Sequence, residues 1–411
     1  MSTYTPLSYN GEGYGWSDLD ELASRLEALV ARPPESIAEN ASRKRLLEAM
    51  KRAIPELETP AEAAQRVPYS PFEIMGAKIA YDLDLFNILN RSENPQSTSA
   101  LAQITGAEKE LLTRLLKFLA SMSMIDEVGV GLWGPSRLTG IFTVPTIAAG
   151  IAHHTDNLGT GILALPGYLR RHNYRSPSNI TDTAFTDANP SAPHIFEWMG
   201  KNTENLRTFM LWMGAHRLRD KEWLDVFPFH DVVCNGFETG NTPVFVDVGG
   251  GIGHQCKAVL ARYPELKGRV FLEDETETLK GALPVPGMET VAMDFFKTQP
   301  IRGARVYYLR SILHDWSDSP SRIILSIIRS VMGQESIILI DDHVVAELKA
   351  HKTVMQMDMT MLLALGAEER TERRWRQLVE SVGLFIDQIY CYDEQGGDSI
   401  IVVKRKKGLS E

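Results

Sequence analysis

Cysteine is nearly absent. The 411-residue chain carries three, Cys234, Cys256 and Cys391, with no CxxC or Cys/His spacing among them. Neither a disulfide framework nor a metal site is indicated, and a reducing compartment is expected. Positive charge is also in deficit, with 43 Lys and Arg against 53 Asp and Glu and a formal net charge of -10. That balance argues against a sequence-independent grip on nucleic acid, which rests on clustered cations at phosphates. The one dense basic run, KRKK at 404–407, reads as a solvated tail. Long apolar runs are lacking too: nothing approaches 18 uninterrupted apolar residues, and MSTYTPLSYNGEGYGW has neither the basic start nor the apolar stretch of a signal peptide. The expectation is a cytoplasmic globular protein with no membrane or nucleic-acid partner.

What is present is enough hydrophobic residue, 44%, for a sizeable core in two or three domains. Residues 1–17 are polar and glycine-bearing, and no fixed structure is expected there. LDELASRLEALVA has helical spacing, with Ser17-Asp18 as a cap and a stop before Pro33-Pro34. SRKRLLEAMKRAI is expected to end at Pro55, and PAEAAQRV to open on Pro60. Over 71–135, three helical runs followed by GLWGPS give the order of a winged helix. Its third helix sets Lys109, Arg114 and Lys117 against Glu108 and Glu110, too balanced a face for tracking phosphates, so a structural or dimerising role is expected. Residues 136–235 read as long helices with loops, and GFETGNTP at 236–243 as a joint. Beyond it short β-branched runs alternate with helices, which implies a parallel sheet covered on both faces. The domains are therefore placed at 1–135, 136–235 and 236–411.

Within the last domain VFVDVGGGIGHQ, residues 244–255, puts four glycines in five positions after a strand. A dinucleotide turn needs a third glycine where this chain has His254. The pattern present is Asp247 followed by Gly249, Gly251 and Gly253. Bare backbone can lie against an amino-acid tail while Asp247 meets its ammonium group, which suits S-adenosylmethionine. Glu273 and Asp274, about 20 residues on, offer an acid to ribose hydroxyls, and Asp294 with Phe295 offers a carboxylate and a ring to adenine.

RVYYLRSILHDWSDSP, residues 305–320, ends a buried strand where open α/β sheets hold their ligands. His314 has the ordinary imidazole range suited to taking a hydroxyl proton at cellular pH, and Trp316 can stack on adenine. Acceptor-pocket walls are placed at Trp212, Met213, Met355, Met359 and Leu362, with His154 and Asn157 reaching in. QMDMTMLLAL also reads as a core helix.

DVGGGIGH, LED, MDFF, YYLRSILHDWSD, LIDD and ALGAEERTERRWRQLVESVGL, in that order, resemble the plant-type and fungal small-molecule O-methyltransferases. The resemblance implies an α/β, Rossmann-like class I methyltransferase domain with a seven-stranded, mostly parallel sheet, preceded by a mostly α-helical winged-helix dimerisation domain, and hence a homodimer. It implies His314 as general base flanked by Asp342 and Glu369, and cofactor contacts at Gly249, Asp274, Asp294, Phe295, Arg310 and Trp316. The substrate implied is a small hydroxylated molecule, aromatic or polyketide-type. The chain departs from the family in having Asp274-Glu275-Thr276 where Asp-Leu-Pro is usual, and the shorter Asp342 where Glu is usual. An alternative is a pericyclase or dehydratase that binds S-adenosylmethionine without methyl transfer, as some fungal relatives do.

Overall fold

Among the described residues, three helices lie wholly in the N-terminal unit, residues 1–72, of the computed structural model; a second unit comprises 73–411. The described residues are 16–31, 40–214, 221–235, 240 and 242–406, so Pro33-Pro34 and most of the polar N-terminus lie outside them. Helix Trp16–Ala31 begins one residue before the expected cap. Helix Asn40–Leu57 passes through Pro55 instead of ending at it. Proline withholds one N–H and crowds the preceding turn, but with the helix ending two residues later the chain still closes a turn from Glu58 N–H to the Ile54 carbonyl at 3.0 Å. Helix Pro60–Tyr69 opens as expected on proline, and Thr59 and Glu62 form a reciprocal capping box.

In the second unit the winged-helix order is present. Helices Leu85–Arg91, Thr98–Thr105 and Lys109–Ser121 are joined by a three-stranded sheet of β1 (Gln96–Ser97), β2 (Asp126–Gly129) and β3 (Leu132–Gly134), in the order β1-β3-β2. Leu112, Leu116 and Leu119 recur at helical spacing and are buried with Leu85, Leu89, Leu101 and Trp133 in one core. The Trp133 indole N–H donates to Thr98 Oγ1 at 2.8 Å, satisfying a buried donor. The next segment, expected to be long helices, contains an irregularity: helix Pro145–Ala152 widens into a π-helical turn, His153–Asn157, before helix Gly159–Arg171 resumes.

The expected joint at 236–243 lies largely outside the described residues; after it come β4 (Phe245–Val248), β5 (Val270–Asp274), β6 (Met288–Ala292), β7 (Val306–Arg310), β8 (Ile337–His343), β9 (Leu384–Asp393) and β10 (Asp398–Arg405). They form one sheet in the order β6-β5-β4-β7-β8-β10-β9, parallel from β6 to β8, with β10 antiparallel to both its neighbours. β4 and β8 are buried along their whole length, which explains their continuous apolar runs. One face is covered by helix His254–Arg262 and the Trp223–Phe229 segment, the other by helices Asp318–Val331 and Glu372–Ser381. Strand order reverses between β4 and β7, and at such a point the carboxyl ends of the two strands part to leave a crevice. Among the described residues no helix is long and apolar enough to cross a membrane.

Candidate active site

The glycine turn leaves β4 on the β4/β7 crevice. Gly249 has φ 71°, and a Cβ built there would lie 2.7 Å from Ile312 Cδ1. Gly250, absent from the sequence-based set, is the tightest position: a Cβ would lie 2.4 Å from the Asp247 carboxyl carbon. Side chains at these two positions would collide with the protein itself, whereas a Cβ at Gly251, which also borders the crevice, would project into open space. Asp247 is itself buried; loss of hydration pushes its carboxyl up to about 7, with a contact from Cys256 and the Arg310 charge opposing the rise. Gly251 N–H donates to Asp274 Oδ2 and Glu275 N–H to Asp274 Oδ1, both at 2.8 Å, so Asp274 ties the end of β5 to the turn. Glu273, the neighbouring acid, points into the core and accepts from Gln299 at 2.7 Å. Gly253 precedes helix His254–Arg262 with φ 89°. Asp294 accepts from Phe296 N–H at 2.9 Å, and Phe295, Phe296 and Trp316 pack edge to face at 4.7–6.2 Å between centroids. Phe295 comes within 3.5 Å of the Cβ position at Gly249, which sets these rings beside the turn.

β7 contributes Arg310, whose Nη1 donates to Asp341 at 3.1 Å; Tyr308 and Tyr392 hydroxyls donate to the same carboxylate at 2.5 and 2.6 Å. Asp341 thus anchors Arg310, a role the LIDD motif did not distinguish from that of Asp342. Ser311 follows with φ 53°, an uncommon conformation for a residue with a side chain and one that marks the sharp exit from the strand. The chain then turns so that His314 is buried at the crevice. Its Nδ1 lies 2.8 Å from Glu369 Oε1, and its Nε2 lies 3.4 Å from Asp315 Oδ1. Burial alone would lower the imidazole; Glu369, Asp315 and Asp342 outweigh it and raise the group to about 9. The ordinary value assumed from sequence is therefore corrected upward. Asp342 acts here through its field, from a fully buried position on β8, while Glu369 holds the ring.

A cavity of about 500 Å³ opens in front of these groups. Its wall includes Asp247, Gly249, Gly251, Arg310 and His314, and on the far side His154, Trp212 and Met213. Four of the expected wall residues are not in it. Asn157 is fully buried behind the wall, bonded to His153 and to the Asn205 carbonyl. Met355 and Met359 are exposed and Leu362 is half-buried, whereas Met357, Thr360 and Met361 of the same helix, Lys352–Leu365, line the space. The stripe 355/359/362 and the stripe 357/361/364 have the same spacing but differ by two residues, about 160° around a helix. Because this helix is apolar on several sides, periodicity alone did not reveal which stripe faces inward.

A family model described as the O-methyltransferase domain matches residues 217–385, and one described as the O-methyltransferase dimerisation domain matches residues 73–144. The O-methyltransferase ucdC of Aspergillus ustus is 33% identical over 372 residues, covering 89% of this chain and 96% of that protein. The chain belongs to the S-adenosylmethionine-dependent O-methyltransferase family. Among solved structures, "A Pericyclic Reaction enzyme" and the LepI complex with SAM are each 30% identical to this methyltransferase, with a TM-score of 0.86 over 94% of this chain and 100% of theirs.

One further residue of the methyltransferase was hidden in sequence. Arg370, adjacent to Glu369 and completely buried, donates from Nη1 to the Leu313 carbonyl at 2.8 Å, from Nη2 to the Trp316 carbonyl at 2.7 Å and from Nε to Asp318 at 3.1 Å. It clamps the backbone on both sides of His314. Arg370→Lys keeps the charge but loses the planar fork. It is expected to lower kcat by about tenfold or more, since the turn that carries His314 would lose its clamp and small displacements at a reaction site are costly, with the thermal midpoint falling by several degrees. Steady-state rates and calorimetry check this; an unchanged kcat would mean that the turn holds itself.

Proposed function

We propose that this methyltransferase moves the methyl group of S-adenosylmethionine to a hydroxyl of a small aromatic or polyketide-type secondary metabolite, with His314 accepting the hydroxyl proton. The observation that carries the reading is the position of His314: Nδ1 is held by Glu369, and the ring borders the same cavity as the glycine turn. The cradle fits the cofactor, because the bare backbone of Gly249, Gly250 and Gly251 borders the cavity beside Asp247, and a Cβ at Gly251 would project into open space. Asp247, Gly249, Gly251, Gly253 and Arg310 would hold its amino-acid end, Asp274 its ribose, and Asp294, Phe295 and Trp316 its adenine. When bound it supplies an electrophilic methyl carbon. The chain's own part is to align the acceptor, an orientation effect worth about 7–11 kcal/mol in favourable cases, and to take a proton. An imidazole raised to about 9 is a strong base for a phenol, though only about one part in a hundred is unprotonated at pH 7.

The test is incubation with methyl-labelled cofactor and a library of phenols and hydroxylated ketones. Label in the product together with S-adenosylhomocysteine is expected; cofactor binding with no label transferred to any hydroxyl sinks the reading. The same raised value favours one second reading, since a cationic His314 at neutral pH is an acid as well as a latent base. A dehydration or pericyclic step would use it to hold a proton, and would consume the acceptor while the label stays on the cofactor.

Homodimer formation through the 73–144 segment belongs to the same proposal, supported by apolar side chains exposed there, among them Ile74, Met75, Ile104 and Leu111. Sedimentation equilibrium is expected to give a dimer of 45.9-kDa chains. A monomer at micromolar concentration would contradict it.

A further inference from the structure

The π-helical turn His153–Asn157 interrupts a helix beside the cavity, and such turns gather at functional sites. Leu158 N–H reaches back to the His153 carbonyl at 3.1 Å, one residue further than an α-helix allows. In an α-helix successive residues project about 100° apart; here His153 and His154 both border the cavity, ring centroids 5.4 Å apart and perpendicular.

The two rings are held in opposite tautomers. His154 Nδ1 lies 2.8 Å from the Gly150 carbonyl, which accepts only, so Nδ1 carries the hydrogen and Nε2 offers a lone pair. His153 Nδ1 lies 2.9 Å from Asn157 Nδ2, and that nitrogen is identified as the amide donor because it also lies 3.0 Å from the Asn205 carbonyl. His153 Nδ1 therefore accepts, and its hydrogen is on Nε2. No described residue hydrogen-bonds to either Nε2, and neither atom is sealed in the protein. Their surroundings are apolar: Phe209 stands 5.6 Å from His153 and Trp212 stands 5.5 Å from His154. Trp212 packs closely enough on Gly150 that a Cβ there would lie 2.6 Å from the indole. Burial, with His154 adding its charge, pushes His153 down to about 3, and burial lowers His154 as well. Both shifts favour the neutral form of the ring.

We infer that His153 and His154 form a donor and acceptor pair that selects a neutral aromatic hydroxy-ketone, His153 donating to its carbonyl and His154 accepting from a hydroxyl other than the one at His314, with Asn157 as the positioning residue for His153. The inference rests on the reading of this cavity as the acceptor site. Among the described residues, the wall at this end of the cavity is formed by His153, His154, Phe209, Trp212 and Met213. Asn157, expected from sequence to touch substrate, acts through the ring it holds.

The test is calorimetric titration of the full-length protein, saturated with S-adenosylhomocysteine, with three probes: a dihydroxybenzophenone, the matching monohydroxybenzophenone, and the dihydroxydiphenylmethane in which CH2 replaces the carbonyl. The first is expected to bind at least about tenfold more tightly than either of the others, since each of them leaves one buried polar group without its partner. His154→Phe, which keeps the packing on Trp212, is expected to abolish the preference for the second hydroxyl. His153→Phe and Asn157→Leu are expected to abolish the preference for the carbonyl. Equal affinity of the wild-type protein for all three probes would overturn the inference without any variant having to fold, as would variants that weaken all probes alike. Because binding is read independently of turnover, a protein that shows these preferences but transfers no methyl group would refute the proposed reaction and uphold the pair. Methylation without the preferences would do the reverse.

Discussion

His314→Ala lowers kcat by about 100- to 10,000-fold while S-adenosylhomocysteine still binds: this is the expected result if the imidazole takes the proton from the acceptor. The ring is buried and bordered by carboxylates on more than one side, and it faces the proposed cofactor cradle across the shared cavity. Removing it should therefore affect the proton and not the cradle. The pH dependence follows from the same geometry. A base must be unprotonated to act, and Glu369, Asp315 and Asp342 raise this one to about 9 against the opposing effect of burial. For the wild-type protein kcat/KM is expected to rise with pH from 6, to bend near 9 and to level off above it. Glu369→Gln removes the largest of the raising charges, so the bend should move to lower pH as the plateau falls. A flat profile, or a His314→Ala variant with wild-type turnover, would remove the general base from the mechanism.

The second large effect is expected at Gly250. A methyl group there falls 2.4 Å from the Asp247 carboxyl carbon and 2.7 Å from Leu272 Cδ1, both of them on buried residues. Overpacking of this kind costs about 1–3 kcal/mol, equivalent to about 5- to 150-fold in affinity if the strain is relieved by moving the cradle. Gly250→Ala is expected to weaken S-adenosylhomocysteine binding by that factor, measured by calorimetry below the thermal transition. Undiminished affinity would show that the carboxyl of Asp247 can retreat, and that close backbone approach is not what the turn provides.

The turn and the imidazole were legible because their chemistry is local. An acid followed by glycines at alternate positions after a buried strand specifies where the backbone is bare, and HDWSD at the end of the next buried strand lies across the same reversal in strand order. Residues whose work depends on register or on distant partners were not legible in this way. Asp341 and Asp342 are neighbours in LIDD, yet successive strand residues face opposite sides of a sheet, and one anchors Arg310 while the other contributes to the field at His314. Met355 and Met357 differ by two positions on a helix, and only the second borders the cavity. Arg370 reaches a carbonyl 57 residues away in the chain, a contact that no local pattern encodes. The tautomer of His153 depends on Asn157 and, through it, on the backbone at Asn205.

Tyr392 gives the end of the chain an unexpected part in the site. It lies on β9 at the outer edge of the sheet, yet its hydroxyl reaches the Asp341 carboxylate that holds Arg310. A polypeptide terminated after Gly383 would lose both closing strands. β8 would become an open rim of unpaired amides and carbonyls, ready to recruit other strands into aggregates, and Asp341 would lose one of its phenols. Premature stop codons even this late in the gene should therefore produce insoluble, inactive protein instead of a trimmed enzyme.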